Sequence, residues 1–358
     1  MNAPFNKLKK TFFILFLAVI SFITGIAFKT IRIEQEERSA WEKVNTIDKN
    51  TIKGDFNVLS HDKDSFGMVE IRQGGFQLIN PLLDCYQISS PGLREMKILK
   101  EKLNGYIINA KAENKAEDIS VYYRDLSNGP WLGIDQDELF SPASLIKVPI
   151  LIAALKYAEY VPEYLSKKIT YEGVKTDPQN IITGDMIVPG NTYTILELLK
   201  HMIIYSDNQA AEIVYGTLDP RNVDKIYYDL GIDIKSNSKS DPDKFISCRE
   251  YAGFFRVLYN ASYLNKDMSE LALQILVQSN YMNGLAAGLP AGTQIADKFG
   301  ERTFIQRNIK QLHDCGIVYL DKKPYILCVM TRGRNYRDLE EVISSISKIV
   351  YLNITTGT

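Results

Sequence analysis

The sequence predicts an α/β (α+β) fold in which one antiparallel sheet is assembled from both ends of the main domain, with a helical lobe inserted between. Three observations carry this prediction. Strand patterns appear early, over 119–126 and 131–140. Helical periodicity dominates from Ser144 to about Ser279. Strand patterns return over 294–300, 316–320 and 325–330. A sheet whose strands come from both sides of a helical stretch places a crevice where lobe and sheet meet, and such crevices are where ligands are commonly held.

The elements follow in chain order. Thr11 to Phe28 carry no charge and are bounded by Lys10 and Lys29. At ~1.5 Å per helical residue this run spans about 27 Å, enough for a bilayer core. Lys7, Lys9 and Lys10 precede it while Glu34, Glu36 and Glu37 follow, so the positive-inside rule leaves residues 1–10 as a cytoplasmic tail and the rest of the chain outside. Gly25-Ile26-Ala27 also loosely fits a cleavage site, so a signal peptide stands as the alternative to the retained anchor at 11–28. Residues 29–93, punctuated by Gly74-Gly75 and Pro91-Gly92, read as a juxtamembrane extension, and 94–358 as the main domain. Within it, Met96, Leu99, Leu103, Ile107 and Ile108 keep helical spacing. Ser127-Asn128-Gly129-Pro130 then joins two strands as a hairpin. The chain closes on an amphipathic helix over 339–351.

Composition excludes several function classes. Hydrophobic residues at 45% and charged residues at 24% suit a globular chain of 358 residues, not a disordered or fibrous one. A net charge of -1 removes the field by which nucleic-acid binders hold phosphate, so no nucleic-acid partner is expected. His61, His201 and His313 stand far apart and Cys85, Cys248, Cys315 and Cys328 form no CxxC pair, so neither a metal nor a cofactor is expected. Cys315 and Cys328 flank a hairpin turn at 321–323 and can face each other; small apolar residues in buried strands are the more ordinary reading.

The chemistry lies in three ordered motifs. Ser144-Leu145-Ile146-Lys147 opens an apolar helical run, and i,i+3 spacing puts hydroxyl and ammonium on one face, one turn apart. The same S-x-x-K spacing at Ser60, Ser236 and Ser345 lacks that setting, and Pro149 is an irregularity that loosens the first turns. Ser206-Asp207-Asn208 and Lys298-Phe299-Gly300 follow. With Phe140-Ser141-Pro142-Ala143 before the first motif and a Gly-rich run from Asn283 to Gly292 before the third, the sequence resembles the penicillin-recognising serine hydrolases, most of all the class A β-lactamase type, over about residues 96–352.

That resemblance implies a β-lactamase/transpeptidase-like fold and assigns roles. Ser144 is the nucleophile and Lys147 its base, with Lys298 as the second cation. Ser206 relays a proton to the leaving nitrogen, Asn208 holds the substrate amide, and Asp207 braces its loop. Gly300 and Glu301 border the substrate, the backbone N–H groups of Ser144 and Glu301 forming an oxyanion hole. Substrates implied are a β-lactam or a peptidoglycan peptide; a D-alanyl-D-alanine peptidase and a non-catalytic penicillin-binding sensor stand as alternatives, all in a bacterial cell envelope. Two departures qualify it. Phe299 replaces the hydroxyl residue that binds the substrate carboxylate in the family, leaving Arg302, Arg307 and Arg332 as candidates. No glutamate stands where the class A type carries its deacylating base, which leaves Glu212, Asp241 and Asp243 as possible substitutes.

Overall fold

The computed structural model of the chain describes residues 56–58, 68–73, 76–87, 92–127, 129–173, 179–181, 184–232, 244–321 and 323–356. The apolar run 11–28 and the two candidate bases Asp241 and Asp243 lie outside them. Among the described residues no helix is long and apolar enough to cross a membrane.

Short strands β1 (Phe56–Val58), β2 (Met68–Gln73) and β3 (Leu82–Gln87) form a small antiparallel sheet of their own. Helix α1 (Gly92–Ala112) leads into β4 (Asp118–Asp125), β5 (Trp131–Ile134) and the two-residue β6 (Leu139–Phe140). The single strand expected over 131–140 is therefore broken. Asp135 takes a left-handed φ of 47° and turns the chain, so that β6 leaves the main sheet and pairs with β9 (Ile246–Ser247).

The helical lobe comprises α2 (Lys147–Ala158), α3 (Ile195–Ile204), α4 (Asn208–Gly216), α5 (Pro220–Asp229), α6 (Cys248–Tyr259) and α7 (Lys266–Leu276). A ribbon of β7 (Lys168–Thr170) and β8 (Thr192–Thr194) precedes α3. Local sequence sets the helix starts. Thr194 with Glu197 and Ser247 with Glu250 form reciprocal capping boxes, while Asp207, Asp219 and Asn265 cap through their side-chain oxygens.

The last third supplies β10 (Gln294–Phe304), β11 (Ile309–Tyr319), β12 (Tyr325–Gly333) and the closing helix α8 (Tyr336–Thr356). The main sheet runs β10-β11-β12-β4-β5, antiparallel throughout. Strands from both ends of the domain thus meet at β12 and β4, as the sequence predicts. One apolar core fills the space between sheet and lobe; a second lies between the opposite face and α1 with α8. The strand β11 begins at Ile309, well before the expected Gly316. Its first half carries Gln311, His313 and Asp314, polar residues that hide the strand pattern yet are buried here. Cys315 and Cys328 face each other across β11 and β12 and are disulfide-bonded, correcting the reading of both as free apolar fillers.

Residues 76–81 dock onto the lobe. Leu78 and Ile79 are buried and their N–H groups donate to Glu270 Oε2 at 3.1 and 3.0 Å, while Asn80 N–H donates to the Tyr259 carbonyl at 2.8 Å.

Candidate active site

Ser144 sits in a 3₁₀ turn, Ala143–Ile146, that runs directly into α2. Pro142 precedes this turn without a side-chain cap, so Ser144 is not a helix N-cap. Pro149 is the third residue of α2, where its missing N–H has no intrahelical partner to lose, and it leaves the helix intact. The turn is fixed from below and from the side. Tyr251 donates its hydroxyl to the Leu145 carbonyl at 2.9 Å, Ser141 N–H donates to Gln311 Oε1 at 3.0 Å, and Arg302 Nη1 donates to Ser141 Oγ at 2.9 Å. His313 Nδ1 accepts from Thr331 N–H, so its Nε2 carries the proton and donates to the Ser141 carbonyl at 3.0 Å. Burial pushes this imidazole down to about 3, so it serves as a neutral strut.

Lys147 is the hub. Its Nζ lies 2.9 Å from Ser144 Oγ, 3.0 Å from Ser206 Oγ, 2.5 Å from the Ser206 carbonyl and 2.7 Å from Asn208 Oδ1. Four oxygens surround an amine that has three protons when charged and two plus a lone pair when neutral, so in the neutral form the Ser144 or Ser206 hydroxyl can donate to Nζ. Burial, reinforced by the Lys298 cation, holds its pKa well below the ordinary lysine value, with Asp207 and Glu301 pulling weakly the other way.

Ser206 stands at the bend between α3 and α4 with φ 56°, a left-handed conformation that a non-glycine residue adopts only when its surroundings hold it. Here Lys147 and Gln179 Nε2, the latter at 2.8 Å, both donate to its carbonyl. Asp207 braces the bend as expected. Its Oδ1 caps Gln209 N–H and Ala210 N–H, and its Oδ2 accepts from Ile187 N–H at 2.8 Å.

Lys298 comes from β10, the edge strand, and is fully buried. Its Nζ donates to Ser206 Oγ at 3.0 Å and to the Phe299 carbonyl at 2.8 Å, and burial lowers its pKa to about 7 against the pull of Asp297 and Asp314. Phe299 is buried and stacked on Tyr281, with Lys298 Nζ 4.1 Å from its ring centroid. Gly300 is required by proximity: a Cβ there would lie 2.9 Å from the Pro142 carbonyl oxygen and 3.0 Å from Leu145 N. The strand backbone at 300–301 therefore runs directly beside the nucleophile turn.

The structure thus brings Ser144, Lys147, Ser206, Asn208, Lys298 and Gly300 together. Glu212 is exposed on α4, and the carboxylates that act on Lys147 are Asp207 and Glu301 instead. The three candidate arginines are engaged elsewhere: Arg332 with Asp118 and the Leu139 carbonyl, Arg302 with Ser141, and Arg307 over the Phe304 ring. Gln179, Asn180, Tyr251, Gln311 and His313 were not marked by any motif, because their roles depend on contacts distant in sequence.

Comparison with known proteins gives the family and the fold. A family model described as the β-lactamase enzyme family matches residues 98–354. β-Lactamase 3 of Bacillus cereus is 24% identical over 248 residues, covering 65% of this chain and 75% of that protein. The structure of a PBP-A point mutant as an acyl-enzyme complex with penicillin-G superposes with a TM-score of 0.59 at 22% identity, over 72% of this chain and 97% of that one. A β-lactamase from Chitinophaga pinensis gives a TM-score of 0.60 at 20% identity, over 71% and 98%. The matched span contains every residue of the hub from Ser144 to Lys298, and the chain belongs to the β-lactamase enzyme family.

Proposed function

We propose that this protein forms an acyl-enzyme at Ser144 with a β-lactam or a related peptide amide and releases it slowly. The observation that carries the reading is the single Lys147 nitrogen within hydrogen-bonding distance of Ser144 Oγ, Ser206 Oγ and Asn208 Oδ1. With Lys147 neutral, its lone pair takes the Ser144 proton as Oγ forms a bond to the carbonyl carbon. The resulting oxyanion lies between the backbone N–H groups of Ser144 and Glu301. Collapse breaks the C–N bond, and the proton passes from Lys147 through Ser206 Oγ to the departing nitrogen. Lys298, 3.0 Å from the same Oγ, supports that relay.

Slow release follows because no carboxylate among the described residues is placed to activate a water at the ester. A base that activates water typically contributes 10²–10⁴-fold. Asp207 is committed to capping α4, Glu301 is hydrogen-bonded away from Ser144, and Glu212 is exposed. Asp241 and Asp243 lie outside the described residues, and action by either as the base would overturn slow release. Incubation with a fluorescent penicillin, followed by gel detection, tests acylation: the wild type labels and Ser144→Ala does not. Labelling that persists in Ser144→Ala overturns the assignment. Rapid release in wild type that is lost in Asp241→Asn or Asp243→Asn would identify the base and end the slow-release reading.

The uncharged run Thr11 to Phe28 behind three lysines supports a body anchored outside the cytoplasm, and the Cys315–Cys328 disulfide suits an oxidising compartment. Protease digestion of intact spheroplasts tests it, a protected body being the contrary result.

A further inference from the structure

Glu301 does something the three motifs do not require. It follows Gly300 on the edge strand, and its side chain reaches the segment 179–181. Oε1 accepts from Asn180 N–H at 2.6 Å and from Ile181 N–H at 3.4 Å, and Oε2 accepts from Asn180 Nδ2 at 2.7 Å and from the Tyr336 hydroxyl at 2.8 Å. One residue earlier, Gln179 Nε2 holds the Ser206 carbonyl at 2.8 Å. One residue later, Ile181 packs on the core that contains Phe299 and Tyr281. These three residues therefore run from one wall of the site, at Ser206, to the other, at β10.

The charge balance at this bridge is unusual for a site that would hold an anion. All four donors to Glu301 among the described residues are neutral, so none of them cancels its negative charge, which is felt as far as Lys147. Lys298 is directed at Ser206 Oγ and the Phe299 carbonyl, and the residue beside it is an aromatic ring where a hydroxyl would bind an oxyanion. Arg302 and Arg332 point to Ser141, Asp118 and Leu139.

Resting on the acyl-serine reading above, we propose that Glu301 is a specificity-determining residue: held by residues 179–181 and Tyr336, its carboxylate turns away acyl donors that carry a carboxylate beside the scissile amide, and the site takes uncharged ones. The acylation chemistry is unchanged by this; what changes is which amide reaches Ser144. Repulsion of like charge is a common route to such discrimination.

The test measures acylation rates of the full-length protein at pH 7 by intact mass, using benzylpenicillin and its uncharged methyl ester. The expected result is that the ester acylates Ser144 at least about tenfold faster than the free acid, and that Glu301→Gln narrows the ratio to about threefold or less. Glu301→Asp, which keeps the charge, retains the wild-type preference. Raising ionic strength to about 1 M narrows the ratio in wild type without any substitution, since salt screens the repulsion. A wild type that prefers the free acid, or a ratio indifferent to both Glu301→Gln and salt, overturns the proposal and leaves Glu301 a structural clamp. If neither compound modifies Ser144, the acyl-serine reading itself fails and this inference falls with it.

Discussion

Lys147 and Lys298 both reach Ser206 Oγ at 3.0 Å, so a single hydroxyl lies between two buried amines. Two cations this close in a dry site oppose each other, and the shared burial lowers both pKa values. The proposed mechanism divides the labour: Lys147 is to act as a free base, while Lys298 is to keep its proton and polarise Ser206. Acylation should therefore be lost on the acid side as Lys147 takes up a proton and on the alkaline side as Lys298, at about 7, gives one up. A stopped-flow pH profile checks this; a rate that is flat from about pH 5 to pH 9 contradicts it. Lys147→Ala should slow acylation by about a hundredfold or more, and an unchanged rate would remove its role as base. At this scale the sequence was legible where a residue acts through a near neighbour, as Ser144 and Lys147 do. It was silent on His313 and Gln311, which reach Ser141 from another strand.

At the scale of elements, the site depends on how close an edge strand can come to a 3₁₀ turn. β10 approaches so tightly that Gly300 leaves no room for a methyl group against the Pro142 carbonyl and Leu145 N. Gly300→Ala should displace one of the two by a few tenths of an ångström and slow acylation by about tenfold or more, since small misplacements at a reacting centre are costly. Gly288 provides the control. A Cβ there would meet the Ser344 carbonyl at 2.2 Å, on α8 and not on the nucleophile turn, so Gly288→Ala should destabilise by about 1–3 kcal/mol while the folded protein acylates at the wild-type rate. Thermal melts alongside acylation rates separate the two; equal kinetic losses in both variants would contradict the account. The pattern of elements, strands then helices then strands, was readable because apolar periodicity survives in most of them. It failed for 131–140 and for the start of β11. In the first a left-handed Asp135 cuts an apolar run, and in the second buried polar residues make specific contacts, Gln311 and His313 with Ser141 and Asp314 with Leu285 N–H.

The described residues join a helical lobe to a sheet with a core on each face, and the Lys147 hub lies where lobe, turn and edge strand meet. The integrity of this body extends to residues 76–81, expected to belong to the juxtamembrane extension, because Leu78 and Ile79 are buried where this stretch meets α6 and α7. Glu270→Ala strips the acceptor from two backbone N–H groups there and should lower stability by about 1–3 kcal/mol, read as a drop in Tm with acylation of the folded protein retained. An unchanged melt would mean that the segment is held by its apolar side chains alone. The central claim, that a lysine-activated Ser144 carries an acyl group, is tested most directly by rapid-quench mass spectrometry after mixing the protein with benzylpenicillin. The account predicts one adduct per chain, mapped to the peptide that contains Ser144, that persists once formed. No adduct, or an adduct on any other residue, would contradict it.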